Sequence, residues 1–422
     1  MLRLSLIALL AAPLPALAQQ PANGRLVITS PQQAVELALA RAPVLRGAAA
    51  GVRAAQGDRL QAGLRPNPEV SISGDGFGGT RSYAGIRSLE TTATLSQRLE
   101  VGGQRQSRIR AAQDALALAG LDAQAVRLEL IREVTRTLAE AVAALREIDI
   151  AQERLRLANE VIRATQARVE AGRDALAQQR RAEVARETAR VALGRAQQNA
   201  DIAARNLAAL LAAPAVQVNA ARAGWFDDLG PRPAAPAAMA ADQLDRARLD
   251  ALTTQRRSEL EVQRRLAIPD VSVSGGVRHY REGGGDASFV LGLSIPLPVF
   301  DRNQGNIMRA GAEVARAEAE AERGRLYLDA SMSESERRLE QAWRAADALR
   351  RTALPAAQEA ARHAREGYAE GKFSLLEVLD AQRALSDVRE ELNTAQLAVQ
   401  QVRADIARLR GRAQEPTGTT SR

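Results

Sequence analysis

The residues best placed to do chemistry in this sequence sit at two short, glycine-marked breaks between long helical tracts. Gly172 is followed by Arg173 and Asp174, and Gly371 by Lys372, Phe373 and Ser374; Lys372 is the only lysine in the chain. Arg173, Asp174 and Lys372 can form charge pairs or rings across a narrow opening, which is control of passage rather than bond-making. A solvated turn with polar caps is the competing reading of the same residues. Glu170, Asp174, Glu370, Glu377 and Asp380 can attract divalent cations transiently, although acidic side chains on long helices more often serve solubility. No metal site is expected, because there is no cysteine and neither His279 nor His363 has a second histidine three or four residues away. The sequence also lacks a P-loop, a G-x-S-x-G elbow, an H-E-x-x-H helix and any nucleophile-base pair. Neither an enzyme nor a cofactor is expected.

A second set of polar residues has a different spacing. Ser71, Ser73, Thr94, Ser272, Ser274 and Ser294 alternate with Val70, Ile72, Ala93, Leu95, Leu99, Val271, Val273, Val277, Phe289, Leu291 and Leu293. Period-two alternation predicts strands near 69–76, 91–100, 270–281 and 287–298, each about as long as an outer-membrane crossing needs. In a closed barrel the hydroxyls would line a wet lumen, hydrating ions without trapping them. Phe77, Tyr83, Tyr280 and Phe289, four of eleven aromatics, fall at or near strand ends, as an interfacial girdle requires. The glycine-rich connections Gly76 to Gly85 and Gly283 to Gly285 read as external loops.

The elements that must position these residues follow from composition and period. The chain has 422 residues and only 3% aromatics, with 58 Lys+Arg interspersed among 50 Asp+Glu. That composition suits long packed helices with ion-paired faces and argues against a nucleic-acid partner, despite the net charge of +8. Residues 1–18 read as a signal peptide, with Arg3, an apolar run and Ala16-Leu17-Ala18. A first repeat, 19–213, opens with Ser30 as a helix cap before Pro31, and contains a long helix at 104–172 and a return helix at 176–212. A Pro/Ala-rich linker spans 214–241. The second repeat, 242–413, has a long helix at 304–371, where Asp301 and Gln304 suggest a cap, and a return helix at 375–411; a disordered tail, 414–422, follows. Each long tract would extend about 100 Å. Leu385, Val388, Leu392, Ala395, Val399, Val402, Ile406 and Leu409 keep coiled-coil spacing.

The two halves repeat. Leu95-Ser96, Leu99, Val101, Gln106 and Ile109 recur as Leu293-Ser294, Leu297, Val299, Gln304 and Ile307 at an offset of 198, and Val169-Glu170-Ala171-Gly172 recurs as Tyr368-Ala369-Glu370-Gly371 at 199. Four strands per chain are too few to close a transmembrane barrel. The fold class expected is therefore an α+β membrane protein, a homotrimer whose twelve-stranded barrel is continuous with a long helical coiled-coil barrel.

The passage Leu293-Ser294-Ile295-Pro296-Leu297-Pro298-Val299-Phe300-Asp301-Arg302-Asn303-Gln304-Gly305-Asn306, with the Tyr368 to Gly371 turn and the following Leu375-Leu376-Glu377-Val378-Leu379-Asp380-Ala381-Gln382, resembles the TolC-like outer membrane efflux protein family. Leu99-Glu100-Val101-Gly102-Gly103-Gln104-Arg105 is most similar to its CzcC-type heavy-metal branch. The resemblance implies a homotrimeric channel in outer-membrane lipid, its helical barrel in the periplasm, docked through a periplasmic membrane-fusion adaptor onto an inner-membrane RND pump and exporting heavy-metal cations. Gly172, Gly371, Phe373 and Ser374 would then be adaptor-contacting tip residues, and Arg173, Asp174 and Lys372 the entrance. Drug or other small-molecule export by the same channel, or a soluble periplasmic coiled-coil scaffold, are the alternatives. The first tip departs from the second, lacking the hydrophobic pair seen at Leu375-Leu376 and Leu379.

Overall fold

A computed structural model describes residues 26–233, 243–282 and 284–411. The segments read as signal peptide (1–18) and tail (414–422) lie outside these, as do 234–241 of the linker and Gly283. In chain order the elements are β1 (Leu26–Ile28), α1 (Pro31–Arg41), α2 (Pro43–Ala62), β2 (Glu69–Asp75), β3 (Glu90–Leu99), α3 (Gln104–Glu170), α4 (Leu176–Leu210), β4 (Val216–Val218), α5 (Gly224–Asp227), α6 (Gln243–Leu266), β5 (Val271–Tyr280), β6 (Ala287–Ser294), α7 (Gln304–Ala348), α8 (Leu354–Ala369) and α9 (Leu375–Leu409).

The four longer strands form one antiparallel sheet in the order β2-β3-β5-β6. Directly opposed residues share a face, and the register pairs Ser71 with Thr94, Ser73 with Thr92, Ser96 with Ser274, and Ser272 with Ser294. All six hydroxyls singled out above therefore lie on one face. The other carries Val70, Ile72, Ala93, Leu95, Val273, Val277, Phe289, Leu291 and Leu293, and it is bare: Phe289 is 91% and Leu291 88% exposed. The outer edges of β2 and β6 have no strand partner among the described residues. β6 stops at Ser294, short of 298, because Pro296 and Pro298 have no N–H to give a ladder.

Helix boundaries follow local chemistry. Ser30 Oγ accepts the Gln33 N–H at 3.3 Å, while the Gln33 carboxamide accepts the Thr29 N–H at 2.9 Å and fastens the residue before the cap. Asp301 does not cap α7. Its Oδ1 accepts the Asn303 N–H at 2.8 Å, turning the chain, and Asn303 is the N-cap at φ 58°, with no side-chain cap bond. Asparagine tolerates that left-handed conformation, which glycine supplies at the matching Gly103 before α3. The helix starts Gln104 and Gln304 are thus 200 residues apart, where the sequence register of 198 aligned Gln106 with Gln304.

The α3 rod runs unbroken for 67 residues, about 100 Å, and packs against α2, α4, α6 and α9. Buried alanines such as Ala139, Ala141, Ala143, Ala182, Ala189 and Ala196 let the neighbouring axes approach closely. The second long tract, read as continuous from 304 to 371, is interrupted by a π turn at Leu349–Ala353. Pro355 explains it: proline gives no N–H to the carbonyl of Arg351 and its ring crowds that oxygen, so the preceding turn widens.

Much of the stretch read as a linker is packed structure. β4 pairs in parallel with β1 over a core of Ile28, Ala34, Ala38, Leu130, Val134, Leu138, Leu207 and Leu211. Phe226 is fully buried beside Ala139, Val142, Ala143 and Ala223. The carbonyls that follow are bound by side chains of other elements: Gln400 Nε2 donates to Trp225 O at 3.1 Å and Asp228 O at 3.3 Å, Trp343 Nε1 to Leu229 O at 3.1 Å, and Arg403 Nη1 to Asp228 O at 2.9 Å. Arg146 pairs with Asp227. A belt of irregular chain is thereby strapped across the middle of the rods.

Candidate functional site: the helical tips

The ends of the rods remote from the sheet are two helical turns. In the first, the Gly172 N–H donates to Val169 O at 2.9 Å and the Arg173 N–H to Arg168 O at 2.8 Å; in the second, the Gly371 N–H donates to Tyr368 O at 3.0 Å and the Lys372 N–H to Gly367 O at 2.7 Å. Both glycines have positive φ, 67° and 78°, which closes a helix C-terminus at no steric cost.

Asp174 is drawn inward. Arg168 grips it with both arms, Nε to Oδ2 at 2.9 Å and Nη2 to Oδ1 at 3.2 Å. From the other hairpin the Tyr368 hydroxyl donates to Asp174 Oδ2 at 2.9 Å. Arg168 Nη1 also donates to Tyr368 O at 3.2 Å, and its guanidinium lies 4.8 Å from the centre of the Tyr368 ring, a cation–π distance. Thr165 Oγ1 lies 3.2 Å from the Tyr368 hydroxyl while donating to Val161 O at 2.8 Å. Beneath them Val161, Ile162, Ala182, Ala364, Tyr368, Leu375 and Val378 form a small apolar core. The hydrogen bonds from Arg168 hold the Asp174 carboxyl below its ordinary value of 3.8, against the opposing effect of burial. Burial pushes the Tyr368 hydroxyl above its usual 10.0, so it remains a donor across the neutral range.

Of the three charged candidates, the structure brings only Asp174 into this network. Lys372 pairs with the exposed Glu370 at 2.6 Å, and Arg173 is exposed with no ion-pair partner among the described residues. Phe373 lies against Gly367, where a Cβ would come within 2.4 Å of its ring. Ser374 caps α9, its Oγ accepting the Glu377 N–H at 3.4 Å while Glu377 Oε2 accepts the Ser374 N–H at 2.6 Å. Sequence reasoning passed over Arg168, Tyr368 and Thr165. The available signal was Tyr368, a hydroxylated aromatic three residues before a glycine turn, where the first copy has Val169.

On the sheet, Arg278 shares the hydroxyl face and donates to Thr92 Oγ1 at 3.0 Å and Glu90 Oε2 at 3.3 Å. Among the described residues, no group of three or more His, Cys, Asp or Glu side chains is arranged to hold a metal ion, and no helix is long and apolar enough to cross a membrane.

A family model described as outer membrane efflux protein matches residues 34–213 and 242–412. Over 144 residues the chain is 37% identical to the cobalt-zinc-cadmium resistance protein CzcC of Cupriavidus metallidurans, a stretch that is 34% of this chain and 33% of that one. Over 95 residues it is 39% identical to the nickel and cobalt resistance protein CnrC of the same organism, 22% of each chain. The chain thus matches about a third of the first relative's length or less. Similar solved structures are CusC (TM-score 0.76, 20% identity, 94% of this chain and 96% of that one), the outer-membrane channel OprN (0.76, 21%, 91% of each) and VceC of Vibrio cholerae (0.75, 18%, 91% and 97%).

Proposed function

Because the chain belongs to the outer membrane efflux protein family, we propose that it is the outer-membrane channel of a tripartite export system, a passive conduit through which heavy-metal cations leave the periplasm. It resides in the outer membrane. The observation that carries the reading is the sheet: four strands whose two edges have no strand partner among the described residues, and a bare apolar face, joined to rods about 100 Å long. An unpaired backbone group facing lipid costs several kcal/mol, so the edges of β2 and β6 need partners. Three copies of the four-stranded sheet supply twelve strands and close a barrel over a coaxial helical tube. Two copies would give a barrel filled by its own side chains. The shared element order of the two halves supports their origin in duplication.

In that assembly the hydroxyl face of Ser71, Ser73, Thr94, Ser272, Ser274 and Ser294 lines the lumen and the apolar face meets lipid. The Arg168–Asp174–Tyr368 network ties the two hairpins together at the periplasmic entrance and acts as its latch. The tip turns at Gly172 and Gly371, with Phe373 and Ser374, face a periplasmic adaptor, which joins the channel to an inner-membrane RND pump. Heavy-metal cargo is supported by the similarity to CzcC and CnrC. The cation passes hydrated, and its choice rests with the pump.

The test has two parts. Protein purified in mild detergent should have three times the mass of one mature chain, and a deletion strain should become sensitive to cobalt, zinc and cadmium but not to lipophilic drugs. Sensitivity to drugs alone would move the assignment to small-molecule export. A single-chain species recovered in osmotic-shock fluid without detergent would overturn the channel.

A further inference from the structure

The two connections that close the strand pairs, at the end of the sheet away from the rods, are chemically unlike. Residues 76–89 contain Arg81 and Arg87 and no acidic residue, with Phe77 60% and Tyr83 57% exposed. Residues 281–286 mix Arg281 with Glu282 and Asp286 and have no aromatic.

The first connection is a folded unit. The Gly78 N–H donates to Gly85 O at 2.8 Å, the Gly79 N–H to Tyr83 O at 2.9 Å, and Ser88 Oγ to Ser82 O at 2.7 Å. At Gly76 a Cβ would sit 2.4 Å from Ser88 O, so only glycine lets the two ends approach. Arg81 is held at φ 56°, a left-handed conformation that side chains other than Gly, Asn and Asp rarely adopt. Arg81 and Arg87 are exposed, and neither has a carboxylate partner among the described residues.

Charge at this level is sorted by face. Asp75 and Glu90 are opposed across β2 and β3 on the hydroxyl face, where Arg278 neutralises Glu90. The opposite face carries Gly74, Thr91, His279 and Ala287 in the adjacent row and is free of acid there. Two guanidinium groups without a carboxylate partner among the described residues thus share one loop with exposed aromatics, while Asp75 and Glu90 lie on the hydroxyl face.

We propose that the 76–89 connection binds the phosphates of a phosphorylated glycolipid in the outer leaflet, an inference that rests on the outer-membrane channel reading. Arginine presents a planar fork matched to phosphate oxygens. Aromatic rings settle at the headgroup level, and cations beside an anionic leaflet gain binding energy residue by residue.

The experiment titrates the full-length protein in mild detergent with lipid A carrying both phosphates, and with its dephosphorylated form, and resolves complexes by native mass spectrometry. The wild type should prefer the phosphorylated lipid. Arg81→Gln with Arg87→Gln should weaken that binding about thirty-fold, about five-fold per arginine, whereas Glu282→Gln with Asp286→Asn should leave it unchanged. The single variants Arg81→Gln and Arg87→Gln give the same reading if the double variant fails to fold. Equal binding of the two lipids, or undiminished binding by an arginine variant of native oligomeric mass, overturns the site. Displacement by millimolar inorganic phosphate, without preference between the lipids, marks a free-anion site and also overturns it. A wild type that needs no detergent and has the mass of a single chain overturns the channel reading and the lipid site with it, an outcome distinct from failure of lipid binding alone.

Discussion

The two tip turns share a backbone and differ in what fills it. In each, the residue after a left-handed glycine bonds back five residues, Arg173 to Arg168 and Lys372 to Gly367. Six residues along from those acceptors stand Asp174 in the first turn and Phe373 in the second. The first turn is closed by an ion pair between Arg168 and Asp174. The second is closed by an aromatic ring in the space left by the missing Cβ of Gly367. Their caps diverge as well: α4 begins after Ala175, which offers no side-chain cap, and α9 begins with the Ser374–Glu377 capping box. The plug and the cap of the second turn therefore both lie within its own hairpin. The first leaves part of its carboxylate's bonding to Tyr368 of the other hairpin, so its electrostatics depend on how the two hairpins sit together. A plug scaffolds; a shared ion pair can report and resist relative motion.

That contrast is most directly broken at Asp174. Asp174→Ala leaves the half-buried Arg168 guanidinium with only its bond to Tyr368 O and the Tyr368 ring and removes bonds to a charged group, worth roughly 1.5–3 kcal/mol. The expected result is a rise of about ten- to a hundred-fold in open probability in planar bilayers. Tyr368→Phe should act in the same direction and less strongly. Unchanged conductance in an intact oligomer would leave the network a structural brace.

Acid should act through the same group. The folded pKa of Asp174 lies below its ordinary 3.8, so the pair's contribution is complete above about 3.8 and is lost as pH falls through the lower, folded value. Open probability should stay flat from neutral pH down to about 4 and climb below it, and Asp174→Asn should abolish this dependence.

Gly367→Ala tests the plug. Its Cβ collides with the Phe373 ring, costing about 1–3 kcal/mol, seen as a lower Tm, and Phe373→Ala should recover part of the loss. Ser374→Ala should cost about 1 kcal/mol of stability and leave conductance alone, while Ala175→Ser should raise Tm slightly by supplying the cap α4 lacks. The smallest effect is expected at Lys372. Its pair with Glu370 is solvent-exposed, so Lys372→Gln should change neither Tm nor conductance, and a large effect would give Lys372 a share with Asp174 in control of the entrance.

The rods show the same asymmetry on a larger scale. Pro355 announces a disturbance in the second tract, but the sequence does not say that a π turn at Leu349–Ala353 absorbs it, since a kink or a break would satisfy proline equally. The belt was illegible for a similar reason. Prolines and alanines around 214–241 look like a tether, and only the packed neighbours make Phe226 a core residue and give the Trp225 to Leu229 carbonyls their donors. Asp301 looked like a cap because its spacing from Gln304 is right; the left-handed Asn303 moved the helix start.

The sequence by itself determined what depends on neighbours along the chain: the strands, the hydroxyl face they share, the glycine closures of the tips and the great length of α3. Side-chain alternation, helix periodicity and left-handed φ are local properties of a few consecutive residues, so they are written in order. The tertiary structure alone decided which charge at the tips is used. Tyr368 meets Asp174 across 194 positions of chain, and a contact of that kind follows from how two rods lie side by side, a geometry fixed by the summed packing of many small side chains rather than by any residue near either partner.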